Sequence, residues 1–66
     1  MTGYRIKHQW LPIWIDGERK VTTVEADAVT FVMQTAAMLF LLRFVDNPLE
    51  WAIEQVRLSD QLEAVA

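Results

Sequence analysis

Sixty-six residues, 53% of them hydrophobic and 23% charged, describe one small globular domain and exclude a disordered chain. With no cysteine present, disulfides and thiolate metal sites are excluded, so a core near the lower size limit of independent folding has no covalent staple. The formal charge of −3 argues against a general nucleic-acid binder, yet it is unevenly spread: +2 up to Lys20 and −5 from Val21 onward.

Tyr4, Ile6 and His8 alternate with Arg5, Lys7 and Gln9, the period-two pattern of a half-buried strand. Pro12 interrupts the pattern, because proline cannot donate to a ladder, and Trp14 and Ile15 resume it. We expect a first strand over about 4–15 with a bulge or break near Pro12. Asp16-Gly17 is a hairpin signal, since glycine accepts positive φ without strain. Lys20 to Ala26 is rich in β-branched residues and reads as the returning strand, over about 19–26.

Residues 28–42, AVTFVMQTAAMLFLL, carry no charge. Asp27 can cap a helix here, and Asp46-Asn47-Pro48 stops it, because the residue before proline avoids the α region. A helix over about 27–44 follows, with Arg43 suited to the negative pole of its dipole. At 100° per residue, Val29, Val32, Met33, Ala36, Phe40 and Phe44 form the stripe assigned to the sheet, and Asp27, Thr30 and Gln34 form a polar strip. Phe31, Thr35, Met38 and Leu42 make a second stripe on roughly the opposite side, with the spacing used by coiled-coil contacts. From Ala36 to Leu42 every position is apolar, more than one sheet can cover, and contiguous exposed apolar surface marks interaction sites.

After Pro48 two readings compete. In one, Asn47 caps a second helix with Pro48 at its first position; in the other, a short turn at 48–51 leads to a strand over about 53–59, with Val56 and Leu58 facing inward. The strand is preferred, because a lone hairpin is marginal and a third strand gives the helix a sheet to lie on. Gln61 to Ala66 reads as a loosely held tail.

Chemistry is sparse. His8 is the single histidine, with Glu25 a candidate partner across the hairpin. Ser59 lacks a nucleophile context, Gly3 and Gly17 are too far apart for a phosphate loop, and the acids are not spaced as a calcium loop. We expect no enzymatic activity, no metal and no cofactor. The basic and aromatic residues of the hairpin (Tyr4, Arg5, Lys7, Trp10, Trp14, Arg19, Lys20) raise a nucleic-acid reading, with aromatics stacking bases and cations following phosphates. A membrane-surface helix would carry lysine and arginine on its polar face, and this one carries Asp27, Thr30 and Gln34. The first 20 residues contain no signal-peptide core, and the uncharged run is shorter than the roughly 20 residues that span a bilayer. A cytoplasmic location is expected.

Asp16-Gly17, Val24-Glu25-Ala26-Asp27 and Val56-Arg57-Leu58 fall in an order that resembles small open reading frames of actinobacteria and their phages. The resemblance implies a strand, a turn, a strand end, a helix and a short final strand, and it implies binding to a host protein; it transfers no functional residues. Phe31, Met38 and Leu42 depart from the polar outer face usual in such helices, which is where a partner would enter.

The fold expected is therefore α+β: an antiparallel hairpin, a central hydrophobic helix and a third strand (ββαβ), with a hairpin followed by two helices as the alternative. The function expected is a small non-catalytic interaction module. Its partner is a second copy of the chain as a homodimer, a host protein, or both. The expected contact residues are Phe31, Thr35, Met38 and Leu42 on the helix, with Trp10 and Trp14 on the hairpin.

Overall fold

A computed structural model describes residues 2–57. The fold is α+β, an antiparallel sheet with one helix. Its strands are β1 (Thr2–His8), β2 (Trp14–Ile15), β3 (Val21–Thr22) and β4 (Trp51–Arg57), in the order β3-β2-β1-β4. The helix α1 (Gln34–Phe44) lies on β1 and β4.

The expected first strand over 4–15 is two strands. The chain reverses at residues 9–13, so that β1 and β2 run antiparallel with Lys7 opposite Trp14. Pro12 thus marks a full reversal and not a bulge. The imidazole of His8 holds it: Nδ1 accepts hydrogen bonds from the backbone N–H of Trp10 (3.2 Å) and Leu11 (3.3 Å), and the His8 backbone N–H donates to the Ile13 carbonyl. The Asp16-Gly17 turn is present between β2 and β3, where the Asp16 carboxylate accepts from the backbone N–H of Glu18 and Lys20. The left-handed residue is Arg19 (φ 66°), not Gly17. The Arg19 guanidinium lies 4.4 Å from the Phe44 ring, a cation–π contact that offsets backbone strain at this position.

The helix begins at Gln34, seven residues after the expected Asp27. Asp27 sits instead in a single 3₁₀ turn, Glu25–Asp27. Residues 28–31 are drawn into the sheet region: the Val29 N–H donates to Ile15, and Tyr4 and Phe31 exchange both backbone hydrogen bonds. Val29, Thr30 and Val32 are β-branched and lose less in an extended chain than in a helix. The late start also moves the inward line of the helix by one residue. Ala37 and Leu41 are buried and Phe40 is half-buried, whereas Val32, Met33, Ala36 and Phe44 of the stripe assigned to the sheet are exposed.

The strand reading of the last segment is the one found. A 3₁₀ turn, Pro48–Glu50, leads into β4, which pairs with the whole of β1 from Thr2 opposite Arg57 to His8 opposite Trp51. Because β4 starts at Trp51, its parity puts Trp51 and Ile53 on the helix side with Ile6, and Val56 on the other face beside Gly3. The expected inward position of Val56 is thereby corrected; the expectations for Leu58, Ser59 and the tail at 61–66 lie outside the described residues. The core beneath the helix is Ile6, Ile15, Leu41 and Trp51, flanked by Ile13, Phe31, Phe40, Val45 and Ile53.

Met33 precedes the first helical residue in an extended conformation and provides no capping side chain, and its own side chain is exposed. Serine there would accept from a free N–H of the first turn. We predict that Met33→Ser raises stability by about 1 kcal/mol in urea unfolding, with an unchanged m-value.

Candidate functional surface

Two places hold the functional candidates: a polar cluster around the single histidine, and the outer surface of α1. In the cluster, His8 is buried, and its ring meets Trp10 and Trp51 edge-on at centroid distances of 5.3 and 5.0 Å. With Nδ1 accepting two backbone N–H groups, the ring proton sits on Nε2, which faces Glu50 Oε1 at 3.4 Å and donates to it. Asn47 donates to the other oxygen of Glu50 at 2.9 Å and accepts from the Trp51 indole at 3.3 Å. Hydrogen bonds from Asn47 first, then from His8, hold the Glu50 carboxyl below the usual glutamate range, against a smaller opposing effect of burial. Both ring nitrogens of His8 are thus engaged in joining residues 9–13 to residues 47–51. Glu25, the expected partner of His8, instead pairs with Arg5 at 3.2 Å.

Of the basic and aromatic residues of the N-terminal region, Arg5 and Trp14 turn inward and Tyr4 and Lys7 are half-buried, whereas Trp10, Arg19 and Lys20 are exposed. Arg5 is buried, and besides Glu25 it donates to the Thr30 hydroxyl. Lys7 donates to the carbonyls of His8 and Leu11 and lies 5.9 Å from the Trp14 ring. Trp14 is buried, with its indole N–H donated to Glu54. This layer closes the sheet face opposite the helix.

Of the six expected contact residues, Thr35, Met38 and Leu42 stand in one line on the outside of α1, with Met38 43% and Leu42 61% exposed. Trp10 is 70% exposed but lies on the loop after β1 and not on the helix. Phe31 precedes the helix and packs half-buried against the core and against Phe40, with ring centroids 5.2 Å apart. Trp14 is covered by its own chain. Leu39, 60% exposed, was not among the expected contacts; with Phe31, Ala36, Phe40, Arg43 and Phe44 it lines an open apolar groove on the hairpin side of α1. The run of apolar residues from Ala36 to Leu42 signalled this surface, but only the helix rotation divides it into two flanks. Among the described residues, no group of three or more His, Asp or Glu side chains could hold a metal ion, and no helix is long and apolar enough to cross a membrane. The chain matches no protein-family model, no curated protein and no solved structure.

Replacing His8 by phenylalanine keeps the ring but removes the acceptor of two loop N–H groups. We expect a loss of about 2 kcal/mol, at roughly 1 kcal/mol per hydrogen bond, measured by urea unfolding at pH 7. Glu50 supplies a pH signature. Because its folded pKa is depressed, its contribution is fully present above the unfolded value of about 4.3 and is lost as pH falls through the lower folded value. The stability advantage of the wild type over Glu50→Gln is therefore expected to be full at pH 6 and to shrink progressively below about pH 4 in paired unfolding curves.

Proposed function

We propose that the protein is a small non-catalytic interaction module that binds another protein through the outer surface of α1. The observation that carries this reading is the exposed apolar line of Met38 and Leu42 on a helix with no charge before Arg43. Such a surface has an unfavourable hydration energy that a partner relieves, at about 25 cal/mol per Å² of apolar area covered. Met38 and Leu42 would supply the apolar contact, with the exposed Trp10 ring a separate aromatic anchor on the loop after β1. The absence of catalysis in this proposal is supported by His8, whose two ring nitrogens are committed to backbone and Glu50. The resemblance to small actinobacterial phage proteins supports a host protein as the target, which the module would occlude or remodel. The nucleic-acid reading is weaker, because Arg5 and Trp14 are buried and Lys7 is engaged within the chain.

The test is affinity capture from an actinobacterial host lysate. Leu42→Asp is expected to abolish retention of a specific partner while the circular dichroism spectrum stays that of the wild type. Leu49→Asp changes a residue that is 89% exposed and lies outside α1, so it is expected to retain the partner. Equal retention by all three proteins would remove the helix surface as the binding site.

A further inference from the structure

The two edges of the sheet are treated differently. β3 is two residues long, the shortness by which natural sheets blunt an edge. β4 is a seven-residue edge strand among the described residues, with no proline, lysine or bulge to protect it. Its outward groups follow from the ladder. Tyr4 and His8 direct their backbone N–H groups away from β4, to Phe31 and Ile13. Alternation then points Gly3, Arg5 and Lys7 at β4, onto Val56, Glu54 and Ala52. Ile53, Gln55 and Arg57 are left with their N–H and C=O groups on the open edge.

The helix flank above that edge is the apolar line. Phe40 and Phe44 lean toward Phe31 and Arg19, which lie on the β2 side of β1. With Ala37 and Leu41 pointing down, helical geometry places Thr35, Met38 and Leu42 on the opposite flank, over β4. An unprotected edge and an uncovered apolar stripe therefore share one side of the molecule.

We infer that this side is a self-association surface, in which β4 pairs antiparallel with β4 of a second copy around a two-fold axis at Gln55. Three arguments select a second copy in this register. A two-fold beside β4 sets the two α1 helices about two strand spacings apart, roughly 10 Å, which is the packing distance of helices, so the two apolar flanks face each other. An axis at Glu54 would oppose two like carboxylates, and an axis at Ile53 would make the Gln9 amide, 3.4 Å from the Trp51 carbonyl, share that acceptor with the second copy. An axis at Gln55 instead sets Gln55 against Gln55, Ile53 against Arg57 and Glu54 against Val56, with no like charges opposed. The inference rests on the reading of Thr35, Met38 and Leu42 as a contact surface, and adds the strand, the register and a second copy as the resting occupant, which a host protein binding there would have to displace.

The experiment is sedimentation equilibrium of the full chain up to millimolar concentration. The wild type is expected at twice its 7.7 kDa chain mass. Gln55→Pro removes an N–H that points out of the sheet, so it is expected to give a folded monomer; Glu54→Pro removes one that points at β1 and is expected to unfold the chain. Gln55→Cys serves if the proline variant fails to fold. In a chain without cysteine, mild oxidation should link the two copies through this residue, whose Cα atoms would lie about 5.5 Å apart. A wild-type monomer at every concentration overturns the inference and leaves the lysate capture to decide the helix reading separately. A dimer that survives Gln55→Pro, or that Gln55→Cys does not cross-link, overturns the strand pairing. If that dimer still dissociates on Leu42→Asp, the helix surface stands without it.

Discussion

The His8 imidazole is the junction on which this fold depends. Its Nδ1 replaces backbone partners for the two N–H groups that the reversal at residues 9–13 would leave open, and its Nε2 reaches across to Glu50 on the turn before β4. The first half of the chain and β4 are thereby tied at one buried point, with Trp51 edge-on beside it and Asn47 locking Glu50 and Trp51 together. Without that tie β1 and β2 would have no fixed turn, and β4 no fixed entry angle. A chain with no disulfide and one small core has few other means of holding its ends in register.

The parts of the fold legible in the sequence were those set by local chemistry. Asp16 and Gly17 form a turn because a short carboxylate can satisfy two backbone donors, and Pro48 opens the 3₁₀ turn that follows the helix, which has already ended at Phe44. The parts that were not legible are decided by contacts distant in sequence. Residues 28–33 carry the same apolar, uncharged character as the helix after them. Backbone partners offered by Tyr4 and Ile15, together with β-branched side chains, hold residues 28–31 extended. The reversal at Pro12 depends on a histidine side chain that read as an ordinary strand residue. Ala36 and Phe44 of the stripe assigned to the core turned outward in favour of Ala37 and Leu41, since one residue rotates a helix by 100°, while Phe40 kept its place at the core's edge.

Charge placement follows from the same compactness. The sheet has two faces, and the described residues form one α-helix to cover them. The second face is closed by Arg5, Lys7, Trp14 and Glu54, long side chains that bury their apolar stems and satisfy their polar ends on Glu25, Thr30, backbone carbonyls and one another. The basic N-terminal pattern that suggested an external polyanion is thus consistent with internal use. The indole of Trp14 and the guanidinium of Arg5 do for this face what a second helix would do in a larger protein.

What a chain of this size does not cover is then a matter of arithmetic. One short helix, 11 residues or about 16 Å long, lies over two strands, and its two flanks overhang. On the hairpin side the overhang is partly met by Phe31 and by Arg19 on Phe44. On the β4 side no comparable element stands among the described residues, and there Met38 and Leu42 remain exposed above a strand whose edge groups are unpaired within the sheet. Burying either feature alone would leave the other in water. A partner that supplies both a strand and an apolar helix satisfies the pair at once, which is why the chain itself is the most economical candidate for that partner.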